Sequence, residues 1–118
     1  MTTAYKPTPA VASFLAREHQ LLIGGEWLEA CSDKRIEVLN PADKKVISSV
    51  AEAGSKDVDR AVEAARKAFD SGSWSDIAAA QRSQILWRWA DIIEQNADQL
   101  VKLEILDNGM PMKLARGF

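Results

Sequence analysis

The sequence holds one cysteine (Cys31), one histidine (His19) and one tyrosine in 118 residues. A single thiol excludes an internal disulfide and any multi-thiolate metal site, so a reducing compartment such as the cytoplasm is expected. Charge of one sign is also missing: 15 basic residues are interspersed with 17 acidic ones, with no basic stripe and no acidic tail. Nucleic acid is therefore a poor partner. No apolar run approaches membrane-spanning length, and Met1 to Pro7 lacks the basic start and apolar core of a secretory signal, so no membrane association or targeting is expected. Glycine is sparse. The pair Gly24-Gly25 lies between two strand-like runs and does not open a helix, which excludes a phosphate-cradling loop there.

What is present is strongly patterned, and the length suits one globular domain. Thr8-Pro9 reads as a helix start, and Val11, Phe14 and Leu15 at i, i+3 and i+4 predict a short helix to about Glu18. Gln20 to Ile23, the turn Gly24-Gly25 and Glu26 to Glu29 predict a hairpin. Arg35 to Leu39 nearly alternates, Asn40-Pro41-Ala42-Asp43 is turn chemistry, and Lys45 to Val50 returns as a strand. Ser55 is then a good N-cap, and Val58, Ala61, Val62, Ala65, Ala68 and Phe69 trace one helix face. A longer helix from about Ala78 presents Ile85, Leu86, Trp89, Ile92 and Ile93, and Asn96 ends it. Leu100, Leu103 and Leu106 form the inner side of the next helix, with Gly109 placed for a left-handed C-terminal residue and Pro111 barring continuation. The fold class expected is α+β: a small β-meander followed by three amphipathic helices.

The candidate chemistry is thin. Cys31 is the only conventional nucleophile, but it lies at a strand end without a cationic neighbour in sequence, so a passive thiol is expected. His19 has no sequence-near ligand partner and reads as a surface residue at a helix end. Glu104 and Asp107, three apart, share a helix side; paired carboxylates there could hold a cation, although a solvated face beside Lys102 is the simpler reading. Trp74, Trp87 and Trp89 read as core packing.

The order of these features resembles the N-terminal portion of the aldehyde dehydrogenase superfamily. The resemblance runs through Leu22-Ile23-Gly24-Gly25-Glu26-Trp27, Val38-Leu39-Asn40-Pro41-Ala42, Ala51-Glu52-Ala53 and the helix from Asp57 to Phe69. It continues through Trp74, Arg82 and Ala90 to Glu94, and closes on Leu103-Glu104 and Asp107-Asn108-Gly109. Met110 stands where the family usually has a lysine. The stretch from Phe14 to His19 resembles bacterial phenylacetaldehyde dehydrogenases. The resemblance implies an α/β family fold of which this is a part, with residues 1–19 as an N-terminal arm and 20–118 as an incomplete cofactor-binding domain.

It also implies an NAD- or NADP-dependent oxidation of an aldehyde substrate to a carboxylic acid by a cysteine nucleophile and a glutamate-activated water. Those residues follow this segment in the family, and Cys31 has no counterpart to the nucleophile's Gly-Gln-Cys context. No catalytic or cofactor-binding residue is therefore expected here, and the chain alone is expected to be an inactive fragment. A structural K+ or Na+ is bound in some members at positions that correspond to Val38, Leu39 and Asp107. The implied partners are the remainder of the dehydrogenase fold and, when complete, further copies in a homodimer or homotetramer. The alternative from another class is a non-catalytic helical interaction module.

Overall fold

The structure is a computed structural model that describes residues 6–117. The expected features that fall on residues 1–5 and on Phe118 lie outside the described residues. Among those described, the elements are α1 (Pro9–Leu15), β1 (Glu18–His19), β2 (Leu21–Ile23), β3 (Glu26–Leu28), β4 (Arg35–Leu39), β5 (Val46–Ala51), α2 (Ser55–Asp70), α3 (Ala79–Gln95), α4 (Ala97–Asn108) and α5 (Met112–Ala115). This is the expected α+β composition, arranged in two compact units.

The first unit holds residues 6–19, 36–50 and 93–117. Thr8 and Pro9 start α1 as expected, because a fixed φ suits the first helical position, where the missing N–H is not needed. Leu15 ends α1, three residues earlier than the apolar spacing suggests. The Ser48 hydroxyl donates to the Leu15 carbonyl at 2.8 Å, and the chain then pairs with β5 as a strand. Glu18 lies opposite Ser49 and His19 opposite Val50, in parallel. His19 thus belongs to a strand and not to a helix end, a difference that local sequence could not signal because its cause is a ladder to residues thirty-one positions away.

The sheet order is β1-β5-β4, while β2 and β3 form a separate two-stranded sheet. The expected meander is therefore divided, with β5 taken up between β4 and the unanticipated β1. The turn from β4 to β5 closes with Asn40 N–H to Lys45 O at 2.9 Å, and the Asn40 side chain accepts from Ala42 N–H at 2.9 Å. In the same unit, α4 packs on α1 and α5. Val11, Leu106 and Ala115 are its buried apolar residues. At the end of α4, Gly109 adopts φ 74 and donates its N–H to Ile105 O, the left-handed termination expected of glycine.

The second unit holds residues 20–35 and 51–92. Its hairpin has Leu21 opposite Leu28 and Ile23 opposite Glu26, joined by Gly24 and Gly25 at φ 63 and 88. Two consecutive positive φ values are the tight hairpin geometry that glycine adopts at little cost. The turn approaches α2: a Cβ on Gly24 would lie 3.7 Å from Ala64 Cβ. Arg82 organises the loop before α3 by donating to the carbonyls of Ile77 and Ser75 at 2.8 and 3.2 Å. Trp74, Trp87 and Trp89, expected in a core, are exposed, as are Val58, Val62 and Phe69 on α2. Of these, Phe69 has the Arg66 guanidinium 5.6 Å from its ring centroid.

Candidate functional site

Val38 and Asp107, which the family resemblance named, line one pocket within the first unit. A pocket of about 390 Å³ is lined by apolar side chains of α1, β4, β5 and α4, with His19, Ser48, Glu104 and Asp107 as its polar members. The arrangement follows from local structure. Val38 sits one residue before the end of β4, and Asp107 one residue before the end of α4. Both are therefore held at element termini. Leu39 is not among the lining residues and is half exposed. Adjacent residues of a strand point to opposite faces, so Leu39 can contribute its main-chain carbonyl but not its side chain.

Glu104 and Asp107 face the same pocket in different states of engagement. Glu104 Oε1 accepts a hydrogen bond from the Asn108 amide at 2.6 Å. Asn108 Oδ1 accepts in turn from Met110 N–H at 2.8 Å. Asp107 has no side-chain partner among the described residues. Among the described residues, no three of His, Cys, Asp and Glu cluster as metal ligands.

The sequence singled out Cys31 but missed its partner. Cys31 lies in the turn after β3 with an exposed thiol. Its backbone N–H donates to both oxygens of Asp57, at 3.1 and 3.3 Å, and Gly54 N–H donates to Asp57 Oδ2 at 3.0 Å. Asp57 is 1% exposed. Arg60 lies 3.8 Å from its carboxylate and 3.9 Å from the Cys31 sulfur.

The carboxyl of Asp57 is held below the ordinary carboxylate range. The Cys31 thiol as a donor contributes most, then Gly54 N–H, with Cys31 N–H and Arg60 adding to it against the opposing cost of burial. Gly54, one residue before the expected Ser55, is the N-cap of α2, and Asp57 reaches back to it. The signal for this was present as an acidic residue at the third helical position, where a carboxylate can satisfy amides of the first turn. The cluster is a fastening of the turn to α2, and Arg60 gives Cys31 a cationic neighbour that local sequence did not show, since it comes from the helix twenty-nine positions on.

The only paired glycines make the hairpin turn, and no glycine-rich segment leads a strand into a helix. No helix among the described residues is long and apolar enough to cross a membrane.

Comparison with known proteins agrees with this geometry. The family model described as "Aldehyde dehydrogenase family" matches residues 27–117. Aldehyde dehydrogenase 1 of Tanacetum cinerariifolium is 43% identical over 97 residues, which are 82% of this chain and 19% of that protein. A mitochondrial aldehyde dehydrogenase of Leishmania tarentolae is 48% identical over 98 residues, 83% of this chain and 19% of that one. The solved NAD+ complex of an aldehyde dehydrogenase from Bacillus cereus superposes with a TM-score of 0.88 at 40% identity, covering 98% of this chain and 23% of that one. The chain spans about a fifth of the length of the curated relatives it matches.

Proposed function

The chain belongs to the aldehyde dehydrogenase family, and from that premise we propose that it is the N-terminal segment of an NAD(P)-dependent enzyme that oxidises an aldehyde to a carboxylic acid. The observation that carries this reading is the family match over residues 27–117. In the whole enzyme the nicotinamide cofactor would accept the hydride. In this reading the catalytic nucleophile, base and dinucleotide cradle belong to the rest of the enzyme, and the part of these residues is to build and support the fold around it, in a homodimer or homotetramer. Purified alone, the chain is expected to produce no NADH from NAD+ and an aldehyde, with phenylacetaldehyde tried first because of the stretch from Phe14 to His19. NADH formation at a rate above buffer, abolished by Cys31→Ser, would overturn the assignment of no catalytic residue here.

The same reading places a structural K+ or Na+ at Asp107 and the carbonyls of Val38 and Leu39. Val38 and Asp107 line one pocket, and the donors are hard oxygens, which supports the fit. The role of such an ion would be to tie the end of β4 to the end of α4. The residence proposed for the complete enzyme is the cytoplasm, on the ground of its lone thiol in this segment. A non-catalytic interaction module is the second reading, favoured by the exposed apolar side chains of α3. Monomeric elution with a sharp thermal transition would support it.

A further inference from the structure

We infer that Asn108 is a site of spontaneous deamidation gated by the end of α4: the folded turn holds it unreactive, and opening of that turn releases it. The chain has three asparagines, Asn40, Asn96 and Asn108. Asn40 precedes Pro41, whose nitrogen carries no hydrogen, and Asn96 precedes Ala97, whose Cβ crowds the amide nitrogen between them. Asn108 alone is followed by glycine, so no side chain hinders closure of a ring between the Gly109 nitrogen and the Asn108 side chain. Both residues are exposed, so water and hydroxide reach them.

The reaction needs no partner but water. Hydroxide removes the Gly109 N–H proton, the nitrogen attacks Asn108 Cγ, the Cγ–Nδ2 bond breaks, and ammonia leaves with a proton from water. Water then opens the cyclic imide at either carbonyl, leaving aspartate or isoaspartate at position 108. Each group in the first step is tied down in the folded chain. Gly109 N–H donates to Ile105 O at 3.1 Å, the Asn108 amide nitrogen donates to Glu104 Oε1 at 2.6 Å, and Asn108 Oδ1 accepts from Met110 N–H at 2.8 Å. While these bonds hold, the nucleophile faces along the helix and the side-chain amide cannot turn towards it. All three belong to the last turn of α4 and the residues just after it, and helix ends open far more readily than a domain unfolds.

The product undoes the lock. A carboxylate at position 108 cannot donate to Glu104, and it stands four residues away, the spacing at which like charges repel on a helix. It also adds negative charge beside Asp107 at the C-terminal end of α4, where the helix dipole disfavours it. Leu106, two residues earlier, is one of the buried apolar residues, so loosening this turn reaches the packing of α4 on α1 and α5. A chain that has been modified closes the turn less well than before.

The test is peptide mapping by mass spectrometry of the 118-residue chain held at mildly alkaline pH, with and without urea. Exchange of an amide NH2 for OH and the separate elution of isoaspartate report the reaction. Modification is expected at Asn108 and not at Asn40 or Asn96. Its rate should rise about tenfold or more when urea removes the lock, the factor expected from losing a charge-assisted hydrogen bond. Glu104→Ala should quicken the reaction severalfold in buffer, with helicity by circular dichroism unchanged. Glu104→Gln, which keeps an acceptor, should stay close to wild type and so separates loss of the bond from loss of the charge. Asn108→Asp, standing in for the product, should lower the thermal midpoint.

Equal rates in buffer and urea, or reaction at Asn96 in place of Asn108, overturn the inference. So does a Glu104→Ala rate equal to that of wild type in a chain of unchanged helicity. Should Glu104→Ala lose helicity, the comparison of wild type in buffer and in urea decides alone. An Asn108→Asp midpoint at or above that of wild type overturns the claim that the product undoes the lock.

Discussion

At the scale of single residues, Asp57 carries more of this fold than its place in the sequence suggests. A carboxylate in the first turn of a helix is ordinarily a surface complement to the helix dipole. Here it is fully enclosed and collects Cys31 N–H, Gly54 N–H and the Arg60 guanidinium. Enclosure would raise the pKa of a lone carboxyl, and the donors more than reverse that. Because the folded state depresses the pKa, the stabilisation is fully present above the unfolded value, near pH 4, and is lost as pH falls through the depressed value.

Asp57→Asn should therefore lower the thermal midpoint at neutral pH, and the gap from wild type should close as the pH is taken below about 4. Melting curves of both proteins between pH 2.5 and 7 check this; a gap of constant size would show that Asp57 acts through shape and not charge. The sequence held the residue type and position but not the burial. Its enclosure depends on the turn at Cys31, twenty-six positions away, arriving over α2.

At the scale of elements, the legible features are those encoded within a few residues. The hairpin at Gly24-Gly25 and the left-handed end of α4 at Gly109 both rest on glycine's freedom at positive φ, which the sequence displays directly. The strand β1 was not legible, because Glu18-His19 has no alternation of its own and becomes a strand only through its parallel partner, Ser49-Val50. Of the residues that resemblance named, Val38 and Asp107 line one pocket and Leu39 does not, and only the folded chain shows this and the engagement of Glu104 by Asn108. Gly109 gives a prediction of its own. Any Cβ there must adopt φ 74 and would meet Pro41 Cγ at 3.1 Å. Gly109→Ala should destabilise the chain by about 1–2 kcal/mol from the left-handed conformation alone, and the crowding of Pro41 adds to that. Urea denaturation measures it, and a loss well under 0.5 kcal/mol would mean that the helix end relaxes into another termination.

At the scale of the whole molecule, burial decides how the chain should behave alone. Among the described residues the buried apolar side chains are Val11, Ala30, Ala51, Leu106 and Ala115, three of them alanines, which is a small core for a chain of this length. All four tryptophans are exposed: Trp27 at 64%, Trp74 at 47%, Trp87 at 71% and Trp89 at 62%. On α3, Ile85, Leu86 and Ile92 are exposed as well, so that helix is apolar around more of its circumference than a solvent-facing helix tolerates. If the remaining four fifths of a dehydrogenase cover these residues, the 118-residue chain alone should show red-shifted tryptophan emission, ready quenching by iodide and binding of a hydrophobic dye. The same tryptophans in a chain that continues through the full family length should emit at shorter wavelength and resist quenching. Blue-shifted, quencher-resistant emission from the short chain would instead mean that it covers these faces by itself or with its own copies. Dilution separates those two cases, since coverage by copies is lost at low concentration.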